Sequence, residues 1–197
     1  AATLTRQLLA YGRKSFLQPE TLDLNAVLAG MESTLRHLME IHGIPLAGRP
    51  MVAYHDHNND TATPRILRAI AEGKSVVYAS EAGTPLISDP GYSLVRLCRD
   101  AGVKIVPIPG PCALIAALCC AGLPTDKFHF IGFLPAKSGQ RQQVLADIPA
   151  NVGTLITYEA ARRVKDTLAD VAVVFGDERE LVLAKEISKT FEHFCHG

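Results

Sequence analysis

The chain has 197 residues, of which 48% are hydrophobic and 20% charged. That composition can build a packed core and excludes a chain disordered throughout, and the length allows one large domain or two small ones. Lysine plus arginine number 20 and aspartate plus glutamate number 20, so the formal net charge is zero. A protein coated in positive charge for nucleic acid is excluded, while a local basic patch is not.

Residues 1–18 lack the apolar core and cleavage site of a signal peptide. Arg6, Arg13, Lys14 and Ser15, with no acid before Glu20, have the outline of a transit peptide, but an ordinary basic amphipathic start is the favoured reading. Residues 34–42 predict a helix with Leu35, Leu38, Met39 and Ile41 on one face and Gly43 as its stop. Residues 50–54 predict a short strand, residues 64–72 a helix, and residues 75–79 a buried parallel strand. A helix is expected over 92–101, capped by Ser88 or Asp89, then a strand over 103–108. Residues 112–121 predict a helix so apolar that it is buried on several sides. Beyond Gly122-Leu123-Pro124, strands are expected over 127–133, 154–158, 171–175 and 181–184, with helices over 140–148 and 161–169. Alternating strands and helices spell an α/β fold with a parallel sheet in the first domain and a partial mixed sheet in the second. The domain boundary falls at 1–123 and 124–197. Cys98, Cys112, Cys119, Cys120 and Cys195 show no C-x-x-C spacing and predict reduced, buried thiols in a cytoplasmic protein. No apolar run reaches the roughly 18 residues of a membrane span.

Three loops follow predicted strands: Ser80-Glu81-Ala82-Gly83-Thr84-Pro85, Pro109-Gly110-Pro111-Cys112-Ala113 and Tyr158-Glu159-Ala160. Parallel α/β sheets bind ligands at that edge, and small residues let backbone amides come close. The chain contains neither G-x-x-x-x-G-K-[S/T] nor G-x-G-x-x-G, and its Cys and His residues lack zinc spacing. The residues alone point to a nucleotide-like cofactor and no further.

The run from Tyr78 to Gly91, Tyr-Ala-Ser-Glu-Ala-Gly-Thr-Pro-Leu-Ile-Ser-Asp-Pro-Gly, resembles a signature of the tetrapyrrole methylase superfamily. It is most similar to the branch that 2′-O-methylates a cytidine ribose in 16S ribosomal RNA. The resemblance continues through Pro107 to Ala113, Ala121 to Asp126, Gly132 to Ser138, Tyr158-Glu159 and Ala184 to Thr190, and covers roughly residues 34–197. Upstream, His42-Gly43-Ile44 and Tyr54 to Asn58 fit as well. It implies a class III-like S-adenosylmethionine methyltransferase of two α/β domains with the cofactor in a cleft between them. Ser80, Ala82, Gly83, Thr84, Leu86 and Ile87 would then hold the cofactor, with Cys112, Ala113 and Tyr158 flanking it. The partners implied are 16S rRNA in the small subunit and a second copy of the chain, with no membrane. The family opens with a strand and a Pro/Gly-rich loop that residues 1–33 do not display, and it continues beyond Gly197. A non-catalytic remnant that dimerises or binds RNA is therefore the second reading, and a tetrapyrrole C-methyltransferase the third.

Glu81 and Asp89 are the candidate general bases, although in-line positioning of methyl and hydroxyl can suffice for methyl transfer. Asp89 weighs more as a helix cap. His55 and His57 could ligate a metal, but without a third ligand a hydrogen-bonding or RNA-contacting role is preferred. Lys137, Arg141 and Arg162 are candidate phosphate contacts, alongside Arg163 and Lys165. Cys112 has no partnering base and reads as small-residue packing.

Overall fold

The computed structural model describes residues 24–29, 32–45, 48–55, 59–80 and 83–197. The transit-like residues 1–18, together with His57, Glu81 and Ala82, lie outside them. The chain forms two compact units, Ala1–Gly110 and Pro111–Gly197.

In the first unit, β1 (Leu24–Ala29), β2 (Met51–Val52) and β3 (Ser75–Ala79) form a parallel sheet in the order β2-β1-β3. Val27 pairs with both Met51 and Val77, so β1 is the central strand. The sequence reading saw no strand before residue 34. Leucine and alanine dominate β1, and its strand state comes from two neighbours rather than from propensity. Helices α1 (Glu32–Ile41), α2 (Asn59–Ala71) and α3 (Tyr92–Asp100) complete the unit. Helix α2 begins before Pro64, which lies inside it. Tyr54, Ala62, Ile66, Leu94 and Cys98 form the core, with Val52, Leu67, Ile70, Val76, Tyr78 and Val103 packed against it.

The strand expected over 103–108 does not form. The Val103 N–H closes helix α3 on the Cys98 carbonyl at 2.9 Å. Beyond it Ile105, Val106 and Ile108 are 45%, 60% and 79% exposed. β-branched residues favour a strand only where a partner accepts their ladder bonds, and no described strand does so here. Helix α3 starts from Gly91 without a side-chain cap, so neither Ser88 nor Asp89 caps it.

The second unit contains α4 (Ala113–Cys120), β4 (Phe128–Phe133), α5 (Ser138–Ala146), β5 (Thr154–Tyr158), a 3-10 turn (Ala161–Arg163), α6 (Val164–Phe175), β6 (Val182–Lys185) and β7 (His193–His196). Strands β4 and β5 pair in parallel, and β6 and β7 form an antiparallel pair. Helix α4 buries Leu114 and Leu118 but leaves Ile115, Cys119 and Cys120 exposed, so only one face is covered. Cys98 alone among the five free thiols is buried, which pushes its pKa up; the expectation of buried cysteines is corrected for the other four. Residues 171–175, expected as a strand, are the last turns of α6. The valines there continue a helix packed on α5, and Gly176 (φ 84) ends it. Among the described residues no helix is long and apolar enough to cross a membrane.

Candidate functional site

The first unit carries a depression of ≈ 250 Å³ at the carboxyl end of β3. Its floor is Tyr78, Ala79 and Ser80, one wall is Gly83, Thr84 and Pro85, and the other is Ile108, Pro109 and Gly110. Two of the loops singled out by sequence therefore meet. The loop is held from below. The Tyr78 hydroxyl donates to the Pro90 carbonyl at 2.6 Å, and its ring meets Tyr54 edge-on at 5.7 Å. Tyr54 is 2% exposed, with its hydroxyl 3.3 Å from Ser93 Oγ and 3.4 Å from Thr63 Oγ1. Ser80 Oγ donates to the Gly83 carbonyl at 2.8 Å, and the Ile87 N–H to Thr84 at 3.3 Å.

Leu86 (φ 70) and Ser88 (φ 57) adopt the left-handed conformation that side chains disfavour. Each such residue costs on the order of 1 kcal/mol or more and persists only where surroundings over-determine it. Strain of this kind concentrates at functional loops. Tyr78, which helps fix the loop, belongs to the recognised motif but was given no role by sequence. A tyrosine in the last turn of a strand before a glycine-rich loop was the available signal.

Among the described residues none that lines the depression is charged, and Glu81, between Ser80 and Gly83, lies outside them. No described lysine or arginine lines the depression to clamp phosphates. It suits a ligand without phosphate, held by backbone groups and hydroxyls, and it does not repel a cationic centre. S-adenosylmethionine, with its sulfonium, fits that description. Leu86 and Asp89 are half-buried in the loop and Ile87 is 38% exposed. His55 is exposed.

Cys112, Ala113 and Tyr158 belong to the second unit. Cys112 precedes α4 and Ala113 is its first residue. The Tyr158 hydroxyl accepts the Leu114 N–H at 3.2 Å, where it satisfies an amide at the start of α4. Its ring packs against Phe130 at 4.9 Å and Phe133 at 5.7 Å.

Arg141 corrects the sequence reading. It is 2% exposed, so it cannot grip phosphate. Its Nε donates to Asp170 Oδ2 at 2.6 Å, and Nη1 donates to the carbonyls of Pro135 and Ala136, both at 3.2 Å. Ser138 Oγ and Gln142 Nε2 donate to the other Asp170 oxygen at 2.8 and 2.6 Å. A second pair lies on the next loop: Arg163 Nε donates to Glu159 Oε1 at 2.7 Å, and Arg163 Nη2 reaches the Leu134 carbonyl at 2.9 Å. Glu159 also accepts the Thr167 hydroxyl at 2.6 Å and the Ala160 N–H at 2.7 Å. Lys137 and Arg162 are exposed.

Residues 21–197 match the tetrapyrrole (corrin/porphyrin) methylases. The chain belongs to that family. It is 51% identical over 147 residues to the ribosomal RNA small subunit methyltransferase I of Escherichia coli O157:H7, a match covering 75% of this chain and 51% of that protein. It is 46% identical over 173 residues to the protein of that name from Pasteurella multocida, covering 88% and 60%. The chain thus spans about half to three-fifths of these curated relatives. Its fold is that of a solved cobalt precorrin-4 methyltransferase, at TM-score 0.58 and 17% identity, over 89% of this chain and 74% of that one.

The polar network predicts that stability falls in acid. Hydrogen bonds from Gln142 and Ser138, with Arg141 beside them, hold the Asp170 carboxyl below its ordinary range despite desolvation. Burial pushes Glu159 up, but bonds from Thr167, Arg163 and the Ala160 N–H outweigh it and leave it lowered. The unfolded chain therefore takes up protons first. Stability is fully present above the ordinary carboxylate range of about 4 and is lost as pH falls through the lowered folded values. Urea midpoints measured from about pH 6 down to pH 3 should fall steeply. Asp170→Asn should be less stable at the upper end but show a shallower slope; an unchanged slope would remove Asp170 from the account.

Proposed function

We propose that the chain is the cofactor-binding portion of an S-adenosylmethionine-dependent methyltransferase of small-subunit ribosomal RNA, acting on a cytidine 2′-hydroxyl. Sequence identity near one half to proteins bearing the rRNA methyltransferase name carries this reading. The depression at the end of β3, whose described lining carries no charge, is consistent with it. A cytoplasmic homodimer is part of the same proposal.

Bound S-adenosylmethionine would supply an electrophilic methyl group on a sulfonium sulfur. Backbone groups of Ser80, Gly83, Thr84, Leu86 and Ile87, with Ala82, orient it from the strained loop. A preset loop of this kind spends little entropy in fixing methyl and hydroxyl in line. Asp89 or Glu81 accepts the hydroxyl proton. His55, Lys137 and Arg162 are available to RNA. If Asp89 is the base, Asp89→Asn should lower kcat by about 10²–10⁴-fold at unchanged cofactor affinity. A smaller loss assigns the proton to Glu81 or to solvent.

Two measurements test the proposal. Calorimetric titration with S-adenosylmethionine should saturate near micromolar. Tritiated methyl transfer to undermethylated small ribosomal subunits should give an alkali-resistant cytidine linkage, as a 2′-O-methyl group does. No binding by the folded chain up to millimolar cofactor would overturn the proposal and leave the non-catalytic RNA-binding reading.

A further inference from the structure

At the carboxyl ends of β4 and β5, where Phe133 stands in register with Tyr158, two loops are bound together by arginines. Arg163 ties the second loop to the Leu134 carbonyl, and Arg141 holds the next two carbonyls, Pro135 and Ala136. Each arginine is neutralised by its own carboxylate, Glu159 or Asp170. Three successive carbonyls are thus occupied by guanidinium groups. The exposed charge left at this edge comes from Lys137, Arg162 and Lys165 against Asp166, with no ion pair to any of them among the described residues. Among the described residues the edge is net positive, and its three successive carbonyls already accept guanidinium hydrogen bonds.

We infer that this edge of the second unit is an RNA phosphate-contacting surface, with Lys137 and Arg162 as contacts and the Arg163–Glu159 and Arg141–Asp170 pairs as positioning residues. The choice of RNA as polyanion rests on the function proposed above. A pinned loop lowers the ordering cost of each phosphate contact. It also separates two effects that are usually confounded. Glu159→Gln makes the chain more positive, so charge alone predicts tighter RNA binding, while loss of positioning predicts weaker binding.

The test uses the full chain, a single-stranded RNA oligonucleotide and small ribosomal subunits. Lys137→Ala and Arg162→Ala should each reduce the slope of log affinity against log salt by about 0.7–0.9. Glu159→Gln should weaken binding about 3–10-fold, and less than additively with Lys137→Ala. Should Glu159→Gln fail to fold, Arg163→Lys serves, since it keeps the charge but cannot span Glu159 and Leu134 together. Unchanged salt slopes overturn the surface. Tighter binding by Glu159→Gln, or effects additive with Lys137→Ala, overturn the positioning role. Methyl transfer by the unaltered chain is followed in parallel. Transfer with unresponsive slopes defeats this inference alone, and responsive slopes without transfer defeat only the proposed function.

Discussion

Gly153→Ala is expected to unfold the second unit. Gly153 (φ 79) precedes β5, and a Cβ there would overlap the Lys127 carbonyl oxygen, 2.7 Å from its carbon and 2.8 Å from Lys127 Cβ. The obstacle is backbone, and it cannot swing aside. That carbonyl accepts the Thr154 N–H at 3.0 Å, the bond that opens the β4–β5 ladder. Thr154 is buried, and its hydroxyl donates to the Pro124 carbonyl at 2.6 Å. Moving Lys127 would break both the register and this anchor. Backbone overlap added to an unfavourable φ places the cost above about 4 kcal/mol, much of the stability of a small domain. The second unit should lose its cooperative thermal transition and become open to proteolysis. Gly139→Ala is the control: Gly139 lies in α5 with open space around its Cβ position, so it should stabilise by about 0.4–1 kcal/mol. A folded Gly153→Ala would show that β4 can shift at little cost.

Gly91→Ala should empty the candidate site without unfolding its unit. At φ 122 an alanine is strained, and its Cβ would lie 2.8 Å from Tyr78 Cε1 and 3.3 Å from Leu86 Cδ1. The Tyr78 ring cannot retreat, because Tyr54 stands against it and Pro90 holds its hydroxyl. The segment from Gly83 to Pro90 must move instead, taking Leu86 and Ser88 out of their strained conformations. The expected cost is about 2–4 kcal/mol in stability, with a loss of cofactor affinity of more than about tenfold, roughly 1.4 kcal/mol. Calorimetry on the folded variant reads the second effect. Tyr78→Leu in the same chain should recover part of the stability by removing the ring that obstructs the methyl group. Unchanged affinity in Gly91→Ala would place the cofactor elsewhere.

Several elements were legible without coordinates. Strands Ser75–Ala79 and Thr154–Tyr158 stand where their apolar runs placed them, and α3 starts at Tyr92 as expected. Short apolar runs between turn residues carry a local signal that tertiary packing reinforces. Residues 103–108 and 171–175 carry the same β-branched signal but do not form strands. The first finds no described partner strand, and the second continues a helix against α5. The central strand β1 shows the converse, since neighbours on both sides make a strand of leucine and alanine.

The site divides along the same line. Chain order and the small residues of the Ser80 and Pro109 loops determine that backbone can approach a ligand at a strand end, because steric permissiveness is a local property. The family too was readable from long motifs in order. Only the tertiary structure separates Arg141 from Lys137, a few residues apart in sequence. Asp170 and two loop carbonyls draw the first into the interior, while the second remains in solvent. A charge acquires its role from the partners that folding brings to it, and the carboxylate that neutralises Arg141 lies 29 residues away.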